Sequence, residues 1–150
     1  NKLEMAKAFG ATDLINSSSQ DPVSVVKQLT EGRGADYTFE VIGLPSTQEQ
    51  AYRMARRGGT AVFVGVPKMT DMLQIQAFLP VFEEKTIKGC WYGSARPHID
   101  IPRLIDLYKA GRLKLQELIS RKFKIDQVNE AFAALAKGEV ARGVITMAAS

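Results

Sequence analysis

The chain has 150 residues, 45% of them apolar and 24% charged, the size and balance of one globular domain. Its net charge of +4 comes from 20 basic and 16 acidic residues scattered along the chain. That pattern lacks the basic face of a nucleic-acid binder, and no apolar run approaches the roughly 20 residues of a membrane helix.

The predicted elements alternate. Lys2 to Phe9 carries Leu3, Met5, Ala6 and Phe9 at helical spacing, with Gly10 as its C-cap. This is an amphipathic, mixed-charge start rather than a secretory leader. A chain that begins without Met, inside such a helix, reads as a fragment or a processed product. Ala11 to Asn16 is a short extended segment. Asp21 caps a helix with Pro22 in its first turn, ended by Gly32-Arg33-Gly34. Asp36 to Ile42 is a strand closed by Gly43. Ser46 and Glu49 form a capping box for the next helix, and Arg56-Arg57 suit its negative C-terminal end. Gly58-Gly59 then starts a strand that runs through Val64 to Gly65, Val66 and Pro67, apolar enough to be buried on both faces. Alternation of this kind predicts an α/β fold with a parallel sheet and right-handed crossovers.

Beyond Pro67 the order loosens. Met72 to Gln76 alternates like a short strand, and Ala77 to Glu84 is one or two helical turns. Thr86 to Trp91 is a strand, and Pro97 to Pro102 a stiff connector. Ile101, Leu104, Ile105 and Tyr108 give an amphipathic helix ending near Gly111. Arg121 to Ile125 reads as a strand, Asp126 as the cap of a final helix stopped at Gly138, and Val144 to Met147 as a terminal strand.

Chemistry-bearing residues are few. Cys90 and His98 are the only residues of their types, which leaves no disulfide and too few soft ligands for zinc. An unpaired thiol is compatible with a cytoplasmic protein. His98 reads as a surface loop residue, because its segment lacks the glycine elbow of a nucleophile. Gly43, Gly65 and Gly93 sit at strand ends, where a backbone can approach a ligand closely. No Gly-x-Gly-x-x-Gly is present, and Gly32-Arg33-Gly34 follows a helix rather than a strand. Glu40, mid-strand, is either a structural carboxylate or a ligand contact. Arg142 offers a planar fork that suits a phosphate.

Several segments together resemble the zinc-dependent medium-chain alcohol dehydrogenases: Phe9-Gly-Ala-Thr-Asp, Phe39-Glu-Val-Ile-Gly, Gly58 to Pro67, Lys85-Thr-Ile-Lys-Gly-Cys-Trp-Tyr-Gly, and Asn129 to Leu135 with Ala141-Arg-Gly-Val-Ile. The set covers essentially the whole chain in the family's order. The resemblance implies a partial Rossmann-type parallel sheet flanked by helices. The first βαβ unit lies outside the chain, and the C-terminal elements return to a catalytic domain that is also outside it. On this reading residues 1–150 are the C-terminal part of a dinucleotide-binding domain with its tail, and the parent enzyme passes hydride between a primary alcohol or aldehyde and NAD. Zinc ligands, and the acidic residue that separates NAD from NADP, would lie upstream.

By the same resemblance the cofactor-binding residues are Lys2 on the adenosine ribose, Ile42 and Gly43 beside the adenine, and Arg142 on the pyrophosphate. Val64 and Cys90 would receive the nicotinamide carboxamide on their carbonyls, and Tyr92 would donate its backbone N–H. Gly65 and Val66 complete the strand end, with Val66 and Trp91 facing the substrate. Leu44 departs from members that place an arginine over the adenine. The family also pairs subunits through the region matching Met72 to Tyr92, so a homodimer or dimer of dimers is expected. Two other readings stand beside this one: a zinc-free quinone or enoyl reductase of the same superfamily, and a non-catalytic dimerisation or nucleotide-sensing module.

Overall fold

The computed structural model describes residues 2–147, which form two compact units. The first comprises residues 13–95. Its helices and strands are α2 (Pro22–Leu29), β1 (Ala35–Glu40), α3 (Pro45–Met54), β2 (Ala55–Phe63), α4 (Phe78–Glu83) and β3 (Thr86–Gly89). The second combines residues 2–12 with 96–147 and holds α1 (Lys2–Ala8), α5 (Pro97–Lys109), β4 (Arg121–Lys124), α6 (Val128–Ala136) and β5 (Gly143–Thr146). Among the described residues no helix is long and apolar enough to cross a membrane.

In the first unit the three strands pair in the order β1-β2-β3, all parallel. β2 is central, and its consecutive residues Ala61 and Val62 are both buried. Because neighbours along a strand point to opposite faces, both faces of β2 are covered, as its unbroken small and branched sequence predicts. α3 packs Ala51 and Tyr52 into this core, and the Thr38 hydroxyl donates to the Ala51 carbonyl at 2.8 Å. Lys85, its side chain buried, donates to the Tyr52 carbonyl at 3.1 Å and pairs with Glu83 at 2.9 Å, so a cation sits at the negative end of α3.

The glycines between α3 and β2 serve a different purpose from a helix stop. β2 begins directly after Met54, and Ala35 faces Ala55 while Tyr37 faces Thr60, so a bulge carries Arg56 to Gly59. Gly58 has φ +66° there. Arg56 and Arg57 are therefore strand residues. Arg56 pairs with Asp36 at 2.5 Å, and Arg57 donates to the Phe82 carbonyl at 2.8 Å.

Other boundaries move for identifiable reasons. α3 starts at Pro45, with Leu44 as a cap that makes no side-chain bond. The Ser46–Glu49 box does not form; Glu49 lies 3.9 Å from Arg53 instead. Residues 72–76 and 11–16 join no strand, because no sheet neighbour runs beside them among the described residues. Pro97 to Pro102 belongs to α5: Pro97 fits the first helical turn and the Asp100 carboxylate accepts the Arg96 N–H at 2.6 Å. α6 is capped at Gln127 rather than Asp126.

β1 ends at Glu40, and the chain beyond it closes on the chain beyond β2. The Val64 and Gly65 N–H groups both donate to the Glu40 carbonyl, at 2.8 and 3.0 Å. Gly43 has φ +89°, and a Cβ on it would stand 2.5 Å from the Val66 carbonyl oxygen. A Cβ on Gly65 would overlap the Gly43 nitrogen and lie 2.7 Å from its Cα. The two glycines are the contact between the two strand ends.

In the second unit, β4 and β5 form a separate parallel pair, and α6 covers it. Phe123, Ala134 and Val140 are its buried cluster. Arg121 pairs with Glu130 across it.

Two outcomes follow. Gly65→Ala should destabilise the chain by about 3 kcal/mol, whereas Gly89→Ala, with open space at its Cβ position, should be within about 1 kcal/mol of the parent; urea denaturation of both variants measures this. Asp36 is held below its usual value of 3.8, first by Arg56 and then by Arg33. A depressed carboxyl contributes stability that is present above its unfolded pKa and lost as pH falls through its folded one. Asp36→Asn should therefore flatten the loss of thermal stability below about pH 4 without changing its shape at neutral pH, as read from Tm against pH.

Candidate functional site at the strand ends

Glu40 organises this end of the sheet. It is 3% exposed, and its Oε1 accepts from the Ile42 N–H, the Gly43 N–H and the Thr47 hydroxyl, each at 2.8 Å. Its backbone carbonyl takes the two N–H groups from beyond β2. One residue thus fixes the loop after its own strand, the first turn of α3 and the loop after β2. Of the two roles its sequence position allowed, the structure shows the structural one.

An open cleft of about 460 Å³ lies beside these loops, at the ends of β2 and β3. Val64, Gly65, Val66, Cys90 and Trp91 line it together with Phe63, Pro67 and Gln48. Five of the residues singled out from the sequence therefore meet in one place. Cys90 is held by its own N–H, which donates to the Phe63 carbonyl at 2.9 Å. Trp91 and Tyr92 meet edge to face with centroids 5.2 Å apart, and Tyr92 has φ +48°.

The polar groups offered here are mainly backbone. Among the described residues the Val64 and Cys90 carbonyls accept no hydrogen bond, and the Tyr92 N–H donates none. The two acceptors stand unpaired in the cleft at neighbouring strand ends, where a parallel sheet usually presents a ligand, whereas Tyr92, in the short turn after β3, is largely exposed and is not among the residues that line it. The side chains around them are uncharged and mostly apolar, so the cleft can hold a flat neutral group by contact and fix it by main-chain hydrogen bonds.

Gly43 is buried against Gly65 and Val66 at the edge of the cleft lining, and Ile42 beside it is largely exposed. Lys2 and Arg142 belong to the other unit. There the Lys2 amine reaches toward Gly138, and Arg142 lines an apolar recess with Phe132 and Leu135. Neither cation has a carboxylate partner among the described residues.

Sequence reasoning passed over Gln48. It is 6% exposed and lines the cleft. The signal was available: positions 48, 51, 52 and 55 fall on one helical face, and the last three are the buried Ala51, Tyr52 and Ala55. Among the described residues no cluster of three His, Cys, Asp or Glu side chains stands close enough to hold a metal ion.

Comparison with known proteins agrees with this architecture. A zinc-binding dehydrogenase family profile matches residues 1–110. Alcohol dehydrogenase-like 5 of Arabidopsis thaliana is 35% identical over 150 residues, 97% of this chain and 38% of that protein. The NDMA-dependent alcohol dehydrogenase of Amycolatopsis methanolica is 35% identical over 96% of this chain and 39% of its own length. Among solved structures, benzyl alcohol dehydrogenase from Acinetobacter calcoaceticus superposes with a TM-score of 0.90 at 32% identity, covering 98% of this chain and 40% of the other. The chain thus spans about two-fifths of the length of the relatives it matches. With the family profile covering most of its residues and a Rossmann-like parallel sheet at its centre, the chain belongs to the zinc-binding dehydrogenase family.

Proposed function

We propose that residues 1–150 are the C-terminal part of the dinucleotide-binding domain of an NAD-dependent, zinc-dependent alcohol dehydrogenase acting on a primary alcohol or aldehyde. The observation that carries this reading is the set of three unpaired backbone groups on Val64, Cys90 and Tyr92. A nicotinamide carboxamide has two N–H donors and a carbonyl oxygen. Its donors match the Val64 and Cys90 carbonyls, and its oxygen matches the Tyr92 N–H. Because main chain does the recognising, the side chains at these positions are free to be a valine, a cysteine and a tyrosine.

NAD, when bound, supplies the hydride acceptor of the reaction. The chain's own part is to orient the ring: Val64 and Cys90 hold the carboxamide, and Val66 and Trp91 form the wall on the substrate side. Lys2 is assigned to the adenosine ribose and Arg142 to the pyrophosphate, supported by their lack of carboxylate partners. Ile42 and Gly43 belong beside the adenine, and Gly65 keeps the strand end low enough for the ring to approach. Among the described residues no three His, Cys, Asp or Glu side chains form a ligand set for zinc, and its ligands are assigned to residues outside this chain.

We further assign Met72 to Tyr92 to a homodimer interface. Met72, Phe78, Val81 and Phe82 are all more than half exposed, and β3 is one of the two edge strands of its sheet.

Two measurements test these assignments. The 150-residue chain should turn over neither ethanol nor a longer alcohol with NAD, while the full-length protein turns over the alcohol and quenches its tryptophan fluorescence on NADH titration; turnover by the chain alone overturns the division of labour. Val81→Asp should shift the full-length protein toward monomer in sedimentation velocity, with a rise in the dimer dissociation constant of about 100-fold or more.

A further inference from the structure

We infer that Gln48 is a side-chain contact to the nicotinamide ring, donating from its amide to the second lone pair of the carboxamide oxygen. This rests on the assignment of the cleft to nicotinamide.

A primary carboxamide offers four hydrogen-bonding positions that matter here: two N–H donors and two lone pairs on oxygen. The Val64 and Cys90 carbonyls satisfy the donors, and the Tyr92 N–H satisfies one lone pair. One lone pair remains. In a cleft walled by Phe63, Val66 and Trp91, a second donor to that oxygen strengthens binding. Matching that vacancy takes one neutral donor.

Gln48 fits the requirement on three separate counts. It lines the same cleft as Val64 and Cys90. The residue is 94% buried by its 6% exposure, yet its amide makes no hydrogen bond with any described residue. Unlike the Tyr52 hydroxyl and Glu40 Oε2, that amide is not sealed from solvent, so its polar end opens toward the cleft. The other side chains in the cleft that carry a donor are Ser94, Cys90 and Trp91; Ser94 and Trp91 are exposed, the Cys90 thiol is a weak donor, and Gln48 is the buried amide among them.

The helix supplies the rigidity. Gln48 is in the first turns of α3, and its N–H donates to the Leu44 carbonyl at 3.0 Å. Thr47 beside it is tied to Glu40 Oε1. The amide is thus presented from a fixed backbone, which limits the entropy lost on contact. A helix face otherwise made of Ala51 and Tyr52 would be filled more simply by leucine or methionine.

The test compares Gln48→Met with the parent in the full-length protein, titrating NADH, 3-acetylpyridine adenine dinucleotide and ADP-ribose. Methionine keeps the length and volume of the side chain and removes the donor. The expected result is a rise of roughly 5- to 10-fold in Kd for NADH. The acetylpyridine analogue, which keeps the carbonyl oxygen and lacks the two N–H donors, should show the same rise. ADP-ribose, which lacks the ring, should bind parent and variant alike and so reports an intact site. Gln48→Glu should resemble Gln48→Met, because it also lacks the donor. An unchanged Kd for NADH in the variant, with a parent that binds NADH, overturns the role of Gln48 alone. Equal weakening of NADH and ADP-ribose also overturns it. A parent that does not bind NADH overturns the nicotinamide assignment and this inference with it.

Discussion

The carboxylate and carbonyl of Glu40 are the constraint on which this end of the molecule depends. Five donors converge on one residue: three on Oε1 and two on the backbone oxygen. They come from the loop after β1, from α3 and from the loop after β2. A carboxyl oxygen can accept several hydrogen bonds at once, and burial keeps water from competing for them. Without these bonds, Gly43 and Gly65 would have no reason to lie in contact. The strand ends would splay, and the Val64 and Cys90 carbonyls would lose their shared orientation. The loop that carries Val64 and Gly65 into the cleft is thus positioned from behind, by a residue that is not itself among those lining it.

That division between support and presentation explains the unusual chemistry of the site. Nothing in the cleft is a strong acid, base or nucleophile. Its polar equipment is main chain, backed by one buried glutamine, and its walls are Phe63, Val66 and Trp91. Such a surface can hold and orient a neutral ring but has no means of transferring a proton on its own. The chain belongs to the zinc-binding dehydrogenase family and spans about two-fifths of the length of the relatives it matches.

Much of this was legible in the sequence, for local reasons. Asp21 before Pro22 marks a helix start by capping geometry, and its carboxylate does accept from the Val23 and Ser24 N–H groups. The unbroken apolar run in β2 marks a central strand because both its faces must be covered. Features that depend on distant partners were not legible. Alternation in Met72 to Gln76 looks like a strand, yet a strand needs a neighbour that sequence alone cannot display. Pro102 looks like a breaker, yet α5 runs through it, giving up the one N–H that residue lacks. The Ser46–Glu49 box lost to Pro45, whose fixed φ starts the helix a residue earlier. Gln48 was missed because a glutamine in a helix is ordinarily a surface residue, and only packing reveals that it is buried.

The bulge at Arg56 to Gly59 has a bearing on how this fold tolerates change. One residue of β1, Asp36 between Ala35 and Tyr37, is matched by four of β2, Arg56 to Gly59 between Ala55 and Thr60. The slack sits between the helix and the part of β2 that reaches the cleft. An insertion or deletion near the end of α3 can be taken up there by lengthening or shortening the loop of chain, while Thr60 to Phe63 keep their pairing with Tyr37 to Glu40. The bulge works as an expansion joint: the length of the crossover can change there without moving Val64 at the end of β2.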